Sequence, residues 1–92
     1  MTYKYFGAPW CAPCAPVLAA VEEIAQRVGD QVEAYSVMEE AGQQEAVRFR
    51  VSSIPTLIIM QGDIPIRSMC GQGIPRALRR FLWENGRSQL RI

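Results

Sequence analysis

Two cysteines stand two residues apart at Cys11-Ala12-Pro13-Cys14, directly after a short strand-like run and ahead of a long apolar-periodic segment. Sulfurs at that spacing close a small ring with little backbone movement, and Pro13 between them restricts the open geometries, so the pair can cycle between dithiol and disulfide. If the helix begins near Cys11, unpaired backbone N–H groups and the positive end of the macrodipole favour a thiolate there, with Cys14 about one turn deeper on the same side. The competing readings are a structural disulfide and half of a zinc site. With one Cys-x-x-Cys, no second pair and no histidine in the chain, the redox reading is preferred. The missing histidine also excludes a Cys–His nucleophile pair and every His-containing metal site. No metal and no cofactor is expected.

The rest of the chain reads as scaffold. Its 92 residues make one domain, with a core covering roughly two thirds of the unfolded surface. A hydrophobic share of 49% with 21% charged residues of both signs fits a soluble globular protein. There is no apolar run of about 18 residues and no charged segment followed by an apolar one at the N-terminus, so a cytoplasmic protein with no membrane partner is expected. Three cysteines, an odd number, speak against a structural disulfide framework. The net charge of +1 hides an asymmetry: residues 67–92 carry six arginines against Glu84 alone. That basic quarter reads as the solvated face of a terminal helix rather than as a nucleic-acid surface.

In chain order, Thr2–Phe6 alternates aromatic and β-branched residues and predicts a first strand. Val17, Leu18, Val21, Ile24, Ala25 and Val28 follow helical spacing, which predicts a helix over Pro13–Val28 ended by Gly29-Asp30, with an irregular start at Pro16. Gln31–Val37 predicts a second strand, and Met38–Arg50, with Ala41, Ala46, Val47 and Phe49, a second helix. The apolar run after Pro55, through Met60, predicts a strand covered on both faces. Gln61-Gly62-Asp63 turns into Ile64–Cys70, with Ile64, Ile66 and Cys70 on one face, and Pro65 places that strand at a sheet edge. Ile74–Asn85 predicts a last helix, Ile74, Ala77, Leu78, Phe81 and Leu82 inward, capped by Gly86. The domain is expected over 1–86, with 87–92 as a tail. The order βαβαββα implies an α/β fold: right-handed crossovers, helices on both faces and an antiparallel hairpin at the end.

Trp10-Cys11-Ala12-Pro13-Cys14, the Ile54-Pro55-Thr56 run some forty residues later and Gly71 after the hairpin together resemble thioredoxin over most of the chain. The resemblance implies a thioredoxin-like fold: a four-stranded mixed sheet flanked by three helices, without the N-terminal strand and helix of ordinary thioredoxins. It implies Cys11 as the attacking thiolate, Cys14 as the buried resolving thiol and Pro55 as a cis proline beside them. Trp10, Ile54, Pro55, Cys70 and Gly71 would form the groove that holds a substrate segment, Ile54 pairing with its backbone. The implied activity is reduction of protein disulfides by thiol–disulfide exchange, with a thioredoxin reductase as electron donor and the protein acting as a monomer.

The sequence departs from that family in its site. The buried aspartate expected six residues before the first cysteine is Tyr5, a structural neighbour of the site like Pro13, and its lysine partner is Ala34. Glu33, Glu39 or water is then left to handle the proton of Cys14. Cys70 is expected on the inward face of an edge strand, as inert core rather than a third redox sulfur, and Trp83 is expected to pack against the sheet. Two other functions stay open: a binding module on the same scaffold with incidental redox activity, and a glutathione-dependent glutaredoxin-like protein. Against the second stand the Ala-Pro dipeptide and the lack of a Gly-Gly pair after the last strand.

Overall fold

The computed structural model describes residues 1–86, so the expected tail at 87–92 lies outside the described residues. Four strands and three helices follow one another as β1 (Thr2–Gly7), α1 (Cys14–Val28), β2 (Gln31–Ser36), α2 (Glu40–Arg48), β3 (Thr56–Gln61), β4 (Ile64–Cys70) and α3 (Ile74–Glu84). The sheet order is β2-β1-β3-β4. β1 runs parallel to β2, with Tyr5 opposite Ala34, and antiparallel to β3, with Phe6 opposite Thr56. β3 and β4 form the hairpin, whose turn uses Gly62 at φ 62°, a left-handed conformation that glycine adopts without a Cβ clash. Pro65 sits in the outermost strand, beside a register shift at Ile59/Met60, where its missing N–H leaves no partner unbonded.

Alternation along the central strands builds two cores. Tyr3, Tyr5, Leu57 and Ile59 face one side and pack with Val17, Val21 and Ile24 of α1 and Ile74, Leu78 and Leu82 of α3. Phe6, Ile58 and Met60 face the other side and meet Ala46 of α2. The expected continuous apolar strand therefore has helices on both faces.

Several elements differ from the sequence expectation. α1 starts at Cys14, not near Cys11, because Cys11 to Pro13 make a turn in which the Cys14 N–H reaches the Cys11 carbonyl at 3.1 Å. α2 is shorter than Met38–Arg50, and its buried residues are Gly42 and Ala46, while Ala41 and Val47 are exposed. On β4, Ile64, Ile66 and Cys70 are exposed rather than inward on one face: Cys70, opposite Thr56, is on the side away from α3, and the register shift at Ile59/Met60 sets Ile64 opposite Gln61, out of step with Cys70. Trp83 is 59% exposed, one position past the Phe81–Leu82 pair that faces the sheet.

Two local features dock α2. A Cβ at Gly42 would lie 1.8 Å from the Ser36 carbonyl oxygen, so only glycine lets the helix approach the end of β2 this closely. On the sheet, Lys4 Nζ donates to Glu33 and to Glu45 of α2, both at 2.9 Å, and lies over the rings of Tyr35 and Phe49. Burial pushes the Lys4 ammonium down, but the hydrogen bonds it donates to Glu33, Glu45 and Tyr35 outweigh it and hold the group above the usual lysine range. The Lys4 hydrogen bond holds the carboxyls of Glu33 and Glu45 below their ordinary 4.5.

Gly42→Ala should unseat α2 and lower stability by about 3 kcal/mol, read by thermal or urea unfolding. Because both carboxyls titrate lower when folded, they contribute stability above pH 4.5 that disappears as pH falls through their folded values. The Lys4 contribution is complete below 10.5 and is lost only at more alkaline pH. Lys4→Met should cost about 2 kcal/mol at pH 7, and the loss of stability between about pH 5 and 3 should shrink in that variant.

Candidate active site

β1 ends at Gly7, and the chain leaves the sheet through Ala8-Pro9-Trp10 into the cysteine turn. The Cys11 N–H donates to the Ala8 carbonyl at 3.2 Å, and the turn delivers Cys14 as the first residue of α1. Pro13 fits this place because an N-cap residue with φ −76° suits its ring, and Pro16 falls within the first turn, where a missing N–H is harmless. Cys11 and Cys14 are joined as a disulfide with Cα atoms 5.3 Å apart. Cys11 thus lies within one turn of the helix start, where the macrodipole still favours an anion.

The two sulfurs differ in access. Cys11 is partly exposed, whereas Cys14 is 4% exposed and belongs to the core under α1. Gly7 makes room for this packing: a Cβ there would come within 3.0 Å of Tyr5 Cε2, 3.1 Å of the Tyr5 hydroxyl and 3.2 Å of Cys14 Sγ. Sequence reasoning missed Gly7; the only signal was a glycine at the exact point where strand gives way to the cysteine loop. The Tyr5 hydroxyl donates to the Cys14 carbonyl at 2.7 Å, and burial pushes its pKa up to about 12.

The register of β1 with β3 brings the second segment to the same end of the sheet. The Ile54–Pro55 peptide bond is cis, and Pro55 is fully buried just ahead of Thr56, the partner of Phe6. The Thr56 hydroxyl donates to the Ser53 carbonyl at 2.6 Å, which pins the turn before the proline. Cys70 lies opposite Thr56, and the Gly71 N–H donates to the Pro55 carbonyl at 2.9 Å. Gly71 takes φ 85°, a conformation that suits glycine. Pro55, Cys70 and Gly71 are therefore contiguous. Cys70 is a free, exposed thiol on that rim and not core. Trp10 is 66% exposed, its indole N–H donating to Met38 Sδ at 3.1 Å, so it does not serve as packing.

Beneath the disulfide runs an open groove of about 400 Å³, between α1 and the β2 edge, lined among others by Tyr5, Cys11, Cys14, Leu18 and Ala34. Tyr5 and Ala34, the pair expected to replace an aspartate and a lysine, do lie opposite each other and border it. Of the two carboxylates considered for the proton of Cys14, Glu39 lines the groove; Glu33 is on the other face of the sheet with Lys4. Among the described residues no cluster of His, Cys, Asp and Glu could hold a metal ion, and no helix is long and apolar enough to cross a membrane.

The family model described as Thioredoxin matches residues 4–84. The chain is 30% identical over 77 residues to a thioredoxin of Bacillus subtilis, covering 84% of this chain and 74% of that protein. It is 38% identical over 66 residues to thioredoxin 1 of Synechococcus elongatus, with 72% of this chain and 62% of that protein covered. A bifunctional thioredoxin reductase/thioredoxin of Mycobacterium leprae is 36% identical over 77 residues, 84% of this chain but 17% of that protein. Among solved structures, oxidized thioredoxin O2 of Arabidopsis thaliana matches with a TM-score of 0.80 at 20% identity, over 90% of this chain and 72% of that one. Thioredoxin 1 of Thermosipho africanus matches with a TM-score of 0.76 at 21% identity, over 94% and 99%. Those two likenesses establish the fold, and it is the expected mixed sheet of four strands with three helices. With a disulfide joining Cys11 to Cys14 and the family model spanning nearly all the described residues, the chain belongs to the thioredoxin family.

Proposed function

We propose that the chain is a thiol–disulfide oxidoreductase that reduces protein disulfides in the cytoplasm as a monomer and is itself re-reduced by a thioredoxin reductase. The observation that carries this reading is the unequal access of the two joined sulfurs, one partly exposed beside a cis proline and the other buried. In the reduced protein the Cys11 thiolate attacks a substrate disulfide, forms a mixed disulfide and releases one substrate sulfur as a thiolate. Cys14 then loses its proton, attacks Cys11 Sγ and expels the second substrate sulfur, leaving the Cys11–Cys14 bond. Two electrons pass to the substrate, which takes up two protons. Trp10, Ile54, Pro55, Cys70 and Gly71 hold the substrate strand, with the Ile54 backbone pairing along it. The bifunctional relative of Mycobacterium leprae, whose name joins a thioredoxin reductase to a thioredoxin, supports the choice of electron donor.

In an insulin reduction assay the wild type should be active and Cys11→Ser inactive, while Cys14→Ser should accumulate a mixed disulfide visible by mass spectrometry. An inactive wild type would favour a binding module instead. Alkylation of reduced protein across a pH series should show Cys11 reacting faster at pH 7 than a free thiol of pKa about 8.5. Equal rates would remove the basis for Cys11 as nucleophile.

A further inference from the structure

The end of β1 grips both cysteines, but by different means. Cys11 is tied through its own N–H to the Ala8 carbonyl, one residue past the strand. Cys14 is tied through its carbonyl to the Tyr5 hydroxyl, two residues before the strand ends. Both bonds are made by backbone and hydroxyl groups rather than by the sulfurs themselves. Tyr5 and Cys14 also share one core cluster. A single point, the Cβ position of Gly7, lies 3.1 Å from the Tyr5 hydroxyl and 3.2 Å from Cys14 Sγ, which puts oxygen and sulfur no more than 6.3 Å apart, the sum of the two. Tyr5 is itself fixed: it is 2% exposed, paired with Leu57 of β3 and Ala34 of β2, and sealed under α1.

We propose that Tyr5 is a positioning residue for the resolving step: its hydroxyl anchors the first turn of α1 to β1 and keeps Cys14 Sγ aimed at Cys11 once the disulfide has opened. This rests on the reductase reading above. Tyr5 itself exchanges no proton. Its hydroxyl is committed as a donor to the Cys14 carbonyl, and a phenol, which burial only pushes further up, is protonated at neutral pH. In the step it serves, the Cys14 proton passes to water in the adjoining groove, the Cys14 thiolate bonds to Cys11 Sγ, and the bond from Cys11 to the substrate sulfur breaks with its electron pair leaving on that sulfur. The groove borders both Cys14 and Tyr5, so water reaches the place where a buried acid would otherwise be needed.

The test is a single-turnover reaction of the reduced full chain with one equivalent of 4,4′-dithiodipyridine, in a Cys70→Ser background that removes the third thiol. The first thiopyridone reports attack by Cys11, and the second reports displacement by Cys14. Tyr5→Phe keeps the ring and removes the donor. It should leave the first rate unchanged and slow the second about fivefold, because a helix start no longer pinned to β1 samples orientations that do not present Cys14 Sγ to Cys11. The same factor in the closing equilibrium should move the reduction potential of the couple about 20 mV less negative, at 29.6 mV per tenfold. Gly7→Ala, which crowds the ring and the sulfur but keeps the hydroxyl, should also slow the second release. A second rate and a potential in Tyr5→Phe equal to those of the Cys70→Ser parent would overturn the proposal. So would both rates falling together with the melting temperature, because that marks a general loss of packing. A wild type that gives two clean releases yet leaves insulin intact would overturn the reductase reading while Tyr5 is still judged by the second rate.

Discussion

The antiparallel pairing of β1 with β3 is the constraint on which the site depends. Phe6 opposite Thr56 sets the cysteine turn and the cis proline at one end of the sheet, although more than forty residues separate them in the chain. Shifting that register by one residue would turn Tyr3 and Tyr5 away from the face that Leu57 and Ile59 share with α1 and α3. It would also carry Tyr5 off the Cys14 carbonyl. The same register thus specifies the core and aligns the two halves of the redox site.

Chemical asymmetry within the cysteine pair arises from simple packing. Placing Cys14 at the first position of an amphipathic helix turns its side chain toward the sheet, where glycine at position 7 leaves space for sulfur. Cys11, held in the preceding turn, stays at the surface under the influence of the helix N-terminus. Tyr5, where the family resemblance implies a buried acid, is instead a fixed donor to the Cys14 carbonyl and borders the groove that runs toward the β2 edge of the sheet.

Much of this was legible in the chain. Period-two and period-3.6 patterns located all seven elements, and Pro65 marked the sheet edge because a residue without N–H cannot sit inside a ladder. Spacing alone found the dithiol, and the family resemblance supplied the cis bond at Pro55. The misplacements come from what periodicity leaves out: whether anything covers a face, and where a shift in register breaks the alternation. Cys70, Ile64 and Ile66 were expected inward together, yet Cys70 lies on the side of β4 away from α3 and the shift at Ile59/Met60 puts Ile64 out of step with it. Trp83 was expected inside because it is large and apolar, but Leu78, Phe81 and Leu82 already fill the inner face of α3. The close approach at Gly42 depends on where α2 meets Ser36, a tertiary distance that no local pattern encodes.

The sheet order also has a temporal side. β1 lies between β2 and β3, so its pairing is half complete until the chain has been synthesised through Gln61. During elongation both thiols are made some forty residues before Ile54-Pro55-Thr56 exists to flank them. A nascent chain therefore carries the dithiol without the cis proline and Gly71 that later stand at the same end of the sheet, and that surrounding is complete only when the third strand closes against the first.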